Sequence, residues 1–189
     1  AGAFAQGILD AGGIPCGKHF PGHGACTQDS HDEPGVSFEE PGDHLIPFKE
    51  LLSKLPSIMV GHLEFPMVDE SSRPASRSRT LMNILRKDWG YDGLVVTDAL
   101  RMEGYGSEPH EEMAVESLHA GVDLLLYPEE PVALAVTLRD ALDRGDLSEE
   151  VVHTAANRID TMIRSILDIE PAKPKPLVLG GGMKSLFRP

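Results

Sequence analysis

The feature that most constrains the fold is a regular alternation of short apolar segments with segments of helical character. Parallel strands need crossover connections, which helices supply, so this alternation predicts an α/β fold with a parallel sheet covered by helices. The predicted strands are 14–20, 57–65, 93–97 and 122–127, and the predicted helices are 44–54, 77–88, 110–120, 131–143 and 148–167.

The number of strand and helix units narrows the architecture further. A (β/α)8 barrel typically needs about 250 residues, so four such units in a chain of 189 residues amount to half of one. The other half then comes from another chain, or the chain is a fragment, or the fold is an open sheet. Residues 1–170 are expected to form this unit, and 171–189 read as a Pro/Gly-rich linker or tail.

The charge of the chain limits the classes of partner. A formal net charge of −13 argues against a nucleic acid or an anionic membrane and favours a neutral or cationic small substrate. The two cysteines, Cys16 and Cys26, are too few for a disulfide framework, although a single bridge between them stays open, and this usage favours a reducing compartment such as the cytoplasm. There is no apolar run of about 18 residues that would predict a transmembrane helix.

Polar side chains collect where the predicted strands end. The carboxyl edge of a parallel sheet or barrel is where sites are built, so a binding site is expected there. Asp98 follows the strand 93–97 directly and is expected to be partly buried, although an aspartate in this position could also cap a following helix. The residues predicted to bind substrate are Lys18, His19, His62 and, in the segment "RPAS", Arg73.

A "DSH" sequence lies in a Gly/Pro-rich loop. In extended chain Asp29 and His31 point to the same side, so the carboxylate can orient the imidazole, although a solvated loop pair would look the same. Retaining glycoside hydrolysis needs a nucleophile and an acid about 5–5.5 Å apart. An imidazole can serve as that acid and then as the base, and a loop can close over a sugar.

Several motifs together resemble glycoside hydrolase family 3, in its β-N-acetylglucosaminidase branch: "GKHFPGHG", "DSH", "GHLEFP", "RPAS", "LRKDWGYDGLVVTDALRMEG" and "AGVDLLL". The resemblance implies the last four units of a (β/α)8 (TIM) barrel, no cofactor, and N-acetylglucosaminides of peptidoglycan or chitin type as substrates. It implies Asp98 as nucleophile, His31 as acid/base with Asp29 orienting it, and Lys18 and His19 as sugar-binding groups.

Two other hypotheses stay open. His19, His62 and Asp98 at successive strand ends are also suitable ligands for an open metal site, as in a metal-dependent hydrolase. The second hypothesis is that the chain is an inactive barrel fragment. Such a fragment would associate with itself or with a missing N-terminal half through its exposed sheet edges.

Overall fold

The structure is a computed structural model that describes residues 1–26, 35–39 and 41–167. In chain order its elements are α1 Gly2–Asp10, β1 Cys16–Phe20, β2 Gly35–Val36, α2 Gly42–Leu51, β3 Ser57–Val60, β4 Leu63–Glu64, α3 Arg79–Asn83, β5 Leu94–Thr97, α4 His110–Ala120, α5 Pro131–Arg144 and α6 Glu149–Leu167. This is an α/β fold with parallel sheets, as the alternation predicts.

The central sheet has three parallel strands in the order β1-β3-β5. Ser57 of β3 is paired with Cys16 on one side and with Leu94 on the other. All four residues of β5 are buried, as expected for a strand covered on both faces. The sheet therefore brings the residues that follow β3 and β5 to the same edge.

The helices predicted from sequence are present with small changes at their ends. The predicted helix 77–88 begins at Arg79 because the Ser78 hydroxyl accepts a hydrogen bond from the Leu81 amide and so caps the first turn. It continues as a π-helical turn over Ile84–Asp88. Gly121 and Gly145 end α4 and α5 in the left-handed conformation that favours glycine.

The predicted strand 122–127 is wrong as a regular strand: only an isolated parallel bridge joins Val96 to Leu124. Backbone hydrogen bonds join the segment to β5 at Val95 and Thr97, and two side chains add further hydrogen bonds. The carboxylate of Asp123 accepts from the Val95 amide at 2.8 Å, and the Thr97 hydroxyl accepts from the Leu126 amide at 2.9 Å. The segment therefore lies beside β5 without repeating its backbone pattern.

The predicted strand 57–65 is divided into β3 and β4 by Gly61 and His62. β4 leaves the central sheet and pairs with β2, a two-residue strand that the sequence pattern does not predict. The break between β3 and β4 places His62 behind the carboxyl edge of the sheet.

The two cysteines, Cys16 and Cys26, are both free. Among the residues described, no helix has both the length and the apolar character needed to cross a bilayer. The predicted tail, 171–189, lies outside the described residues.

Candidate active site

Asp98 lies where the sequence predicts it, directly after β5 at the carboxyl edge of the central sheet. Its amide donates to the Val60 carbonyl of β3 at 2.9 Å, and its Oδ1 accepts from the Ala99 amide at 2.9 Å. The side chain is 16% exposed. No described helix begins after it before the 3₁₀ turn Glu103–Tyr105, so Asp98 presents its other oxygen at the edge instead of capping a helix.

His19, in β1, faces Asp98 across the end of β3. Its Nε2 lies 3.5 Å from Asp98 Oδ2, and its ring makes an edge contact with that of His23 at 5.6 Å between centroids. The neighbouring Lys18 is exposed, and no ion pair joins it to the carboxylates in the described part of the chain. The peptide bonds Lys18–His19 and Phe20–Pro21 are cis.

His62 does not lie at the surface of this edge. The residue is fully buried, with Nδ1 2.8 Å from Ser76 Oγ and Nε2 3.0 Å from the Ala99 carbonyl oxygen. Burial lowers the pKa of His62 to about 4. Both ring nitrogens are thus engaged within the chain, which departs from the predicted role in substrate binding.

Arg73 also has a partner inside the chain. Its Nε and Nη2 donate to the Glu116 carboxylate of α4 at 3.2 and 2.7 Å, a bidentate pairing. Hydrogen bonding to Glu116 raises the pKa of the Arg73 guanidinium. Arg73 is therefore directed toward α4, whereas the sequence predicts it beside the substrate.

Arg77 and Tyr105 are two residues beside the site that sequence reasoning did not identify. The Arg77 side chain is 4% exposed, pairs with Glu108 and Glu116, and lies over the Tyr105 ring at 5.7 Å. Tyr105 in turn packs against His62, with 4.9 Å between the ring centroids. The three arginines of "RPASRSR" have no spacing that would indicate which of them is buried.

Glu64 of β4 is a further partly buried carboxyl group near this cluster. Burial raises the pKa of Glu64, the positive charge of Arg77 lowers it, and the negative charge of Glu108 raises it. Glu64 thus shares one electrostatic environment with Arg77 and Glu108. No sequence pattern separates it from an ordinary surface glutamate.

The predicted dyad, Asp29 and His31, lies outside the described residues, so its relation to Asp98 stays a prediction. His19, His62 and Asp98 do not form a metal cage: the described ranges contain no group of three or more candidate ligands. What the described residues assemble is a partly buried carboxylate beside an imidazole, a pair suited to nucleophilic attack on a polarised carbon.

The geometry alone does not assign the chain to a protein family, and a family model does. The model described as the N-terminal domain of glycosyl hydrolase family 3 matches residues 1–162. The chain belongs to glycosyl hydrolase family 3. Its membership confirms the resemblance carried by the sequence motifs.

Similar family 3 proteins include curated and structurally solved ones. Beta-hexosaminidase LpqI of Mycobacterium tuberculosis is 38% identical over 176 residues, which cover 86% of this chain and 45% of the relative. A family 3 beta-N-acetylglucosaminidase from Paenibacillus superposes with a TM-score of 0.80 and 31% identity over 92% of this chain and 35% of that one.

A third neighbour is named for a different reaction. The beta-glucoside phosphorylase BglX superposes with a TM-score of 0.83 and 30% identity, covering 88% of this chain and 33% of that one. The chain spans less than half the length of the curated relative above. This part of the family 3 fold therefore occurs both in proteins named for hydrolysis and in one named for phosphorolysis.

Proposed function

We propose that the chain contributes the catalytic edge of a retaining exo-β-N-acetylglucosaminidase. Such an enzyme releases terminal N-acetylglucosamine from peptidoglycan-type or chitin-type oligosaccharides. The observation that carries the proposal is the Asp98 carboxylate, partly buried after β5 with His19 Nε2 3.5 Å away. The names of the beta-hexosaminidase and beta-N-acetylglucosaminidase relatives support the sugar class.

The proposed architecture is the C-terminal half of a (β/α)8 barrel. The three parallel strands and the segment bridged to β5 would supply four of its eight positions. The other four would come from residues or a chain outside this sequence, which is consistent with its covering 35% of the Paenibacillus enzyme. On this proposal, part of the sugar pocket belongs to that other half.

The proposed reaction has two steps. In the first, an Asp98 carboxylate oxygen bonds to the anomeric carbon, the bond to the leaving oxygen breaks, and His31 gives that oxygen a proton. In the second, water attacks the same carbon, His31 takes a proton from it, and Asp98 leaves as a carboxylate. Asp29 would orient His31 through one ring nitrogen.

Lys18 and His19 are the proposed sugar-binding groups of the described chain. Lys18 has an exposed ammonium that can donate to sugar hydroxyls, and His19 lies close enough to Asp98 to bind the same ring. No cofactor takes part in this mechanism. The metal-dependent alternative predicts activity lost to a chelator and restored by a divalent ion, whereas the proposed mechanism predicts indifference to both.

The test is hydrolysis of a chromogenic aryl β-N-acetylglucosaminide by the 189-residue chain, alone and mixed with the N-terminal half of a family 3 barrel. Asp98→Ala should lower kcat by about a thousandfold or more, because the nucleophile is lost. Asp140→Ala is the matched control and should leave kcat unchanged, because it removes a half-buried aspartate of α5 whose ion pair among the described residues is with Arg139.

Trapping distinguishes the retaining mechanism from other uses of the same carboxylate. Acid quenching of the active mixture followed by peptide mass spectrometry should find the sugar attached to the peptide that contains Asp98. An active mixture whose Asp98→Ala variant keeps its turnover would refute the assignment.

Phosphorolysis is a second candidate, favoured by the similarity to BglX. Phosphate would replace water in the second step and attack the same anomeric carbon. Adding inorganic phosphate should then yield the sugar 1-phosphate, whereas a hydrolase releases the free sugar with or without phosphate.

The cytoplasmic location predicted from cysteine usage stays a prediction.

A further inference from the structure

His62 links two segments that are distant in sequence. It follows β3 by two residues, is fully buried, and lies between the Ser76 hydroxyl and the Ala99 carbonyl at 2.8 and 3.0 Å. Ser76 is fully buried too. Its segment is fixed to β4, because the Ala75 amide donates to the Leu63 carbonyl at 2.7 Å.

The partners of the His62 ring determine where its proton lies. A backbone carbonyl can only accept, so Nε2 carries the hydrogen and donates it to Ala99. Because burial keeps the ring neutral, Nδ1 has a lone pair and accepts from the Ser76 hydroxyl. The order of donation is therefore Ser76 to His62 to Ala99.

The recipient of this chain of hydrogen bonds is the turn that carries Asp98. The Asp98 amide donates to Val60 of β3, and the Ala99 carbonyl accepts from the Met102 amide at 3.1 Å and from the His62 side chain, so the turn is fixed at both ends. Between these points the Ala99 amide donates to Asp98 Oδ1 at 2.9 Å. Rotation of the Ala99 backbone would turn this amide away from the carboxylate.

We propose that His62 is a positioning residue, which holds the Asp98–Ala99 turn so that the Asp98 carboxylate keeps one orientation toward the anomeric carbon. It does so without touching the saccharide. This inference rests on the proposed function of Asp98 as nucleophile. A displacement of a reacting group by about 1 Å can lower a rate about a hundredfold, so the expected effect is on kcat.

Two amide variants separate the Ala99 contact from the presence of the imidazole. In His62→Gln the side-chain amide reaches the former position of Nε2 and can still donate to Ala99. In His62→Asn the amide reaches only the position of Nδ1, so it meets Ser76, and the Ala99 carbonyl keeps the Met102 amide but loses its side-chain donor. Both variants bury a neutral amide, so similar thermal unfolding temperatures are expected. Measuring these temperatures shows whether the two variants are equally stable and can be compared.

The first measurement is independent of any activity. Amide hydrogen exchange at Ala99 reports whether its N–H stays on Asp98, and it should accelerate about tenfold in His62→Asn relative to wild type and His62→Gln. His119→Asn is the control, because His119 Nε2 also binds a backbone carbonyl, that of Asp146 at 2.8 Å, at the end of α4. It should leave Ala99 exchange unchanged.

The second measurement is steady-state kinetics of the 189-residue chain mixed with the N-terminal half of a family 3 barrel. His62→Asn should lower kcat about a hundredfold with KM nearly unchanged, and His62→Gln should restore most of the loss. Equal exchange at Ala99 in wild type and both variants would overturn the positioning role. Exchange at Ala99 could instead accelerate in His62→Asn while the Asp98→Ala variant keeps its turnover. That result would refute the proposed function of Asp98 but retain the contact of His62 with Ala99.

Discussion

His62 is a histidine that the folded chain keeps neutral. Burial lowers its pKa to about 4, against about 6.5 for an exposed histidine in the unfolded chain. As the pH falls below 6.5, the unfolded chain takes up a proton at this position, whereas the folded chain does not until about pH 4. Stability is therefore lost across this window, and the shift corresponds to about 3 kcal/mol.

This linkage predicts a pH dependence that one substitution removes. The free energy of unfolding of the wild type should fall by about 2–3 kcal/mol more than that of His62→Asn between pH 7 and pH 4.5. Urea unfolding at the two pH values measures both, and comparing the two proteins cancels the carboxylates that titrate in the same range. Parallel pH profiles for the two proteins would contradict the neutral, buried state of His62.

At the scale of elements, Arg86 joins three parts of the fold that meet beside β5. From the π-helical turn its guanidinium donates to the carbonyls of Tyr91, Gly93 and Gly121 at 2.8–3.0 Å and pairs with Asp123. Asp123 also accepts the Val95 amide of β5. One side chain thus fixes both the entry to β5 and the segment that lies beside it.

Arg86→Met should therefore lower the free energy of unfolding by about 3 kcal/mol, since it removes the donor to part-buried carbonyls and leaves Arg158 and the Val95 amide as the described partners of Asp123. Arg139→Met, which removes a half-buried arginine whose ion pair in the described part of the chain is with Asp140, should change it by less than about 0.5 kcal/mol. Urea denaturation of both variants tests this. A similar small change in the two would show that the Arg86 contacts contribute little.

The elements differ in how well the sequence predicts them. The helix 110–120 and the strand before Asp98 are predicted closely, because helical periodicity and a run of buried β-branched residues are local signals. The segment 122–127 is not, because its irregular backbone hydrogen bonds to β5 are combined with side-chain hydrogen bonds of Asp123 and Thr97 that the apolar pattern does not encode. The burial of His62 is equally hidden, since its partners Ser76 and Ala99 are set by the tertiary structure.

At the scale of the whole molecule, large apolar side chains remain exposed among the described residues. Phe4, Phe38, Met67 and Val132 are each 65% exposed or more, and among the described strands β1 pairs with β3 alone. Exposed apolar side chains and an unpaired strand edge favour association. The net charge of −13 opposes it through mutual repulsion.

These opposing effects predict association that increases with salt. Sedimentation equilibrium should give a mass above 20.5 kDa, and the associated fraction should rise between about 0.02 M and 0.5 M sodium chloride as the repulsion is screened. Phe4→Ser should reduce it, because Phe4 is 76% exposed on α1. A mass of 20.5 kDa at every salt and protein concentration would count against the half-barrel proposal.

The strand order β1-β3-β5 has a consequence for the time course of folding. His19 lies in β1 and Asp98 directly follows β5, the two outer strands of the three-stranded sheet, so β3 must already lie between them before their side chains can meet. Parallel strands also have to close long intervening segments, which makes their pairing slow compared with helix formation. During refolding, the contact of His19 with Asp98 should therefore be among the last to form, and the candidate site should appear only once the three-stranded sheet is complete.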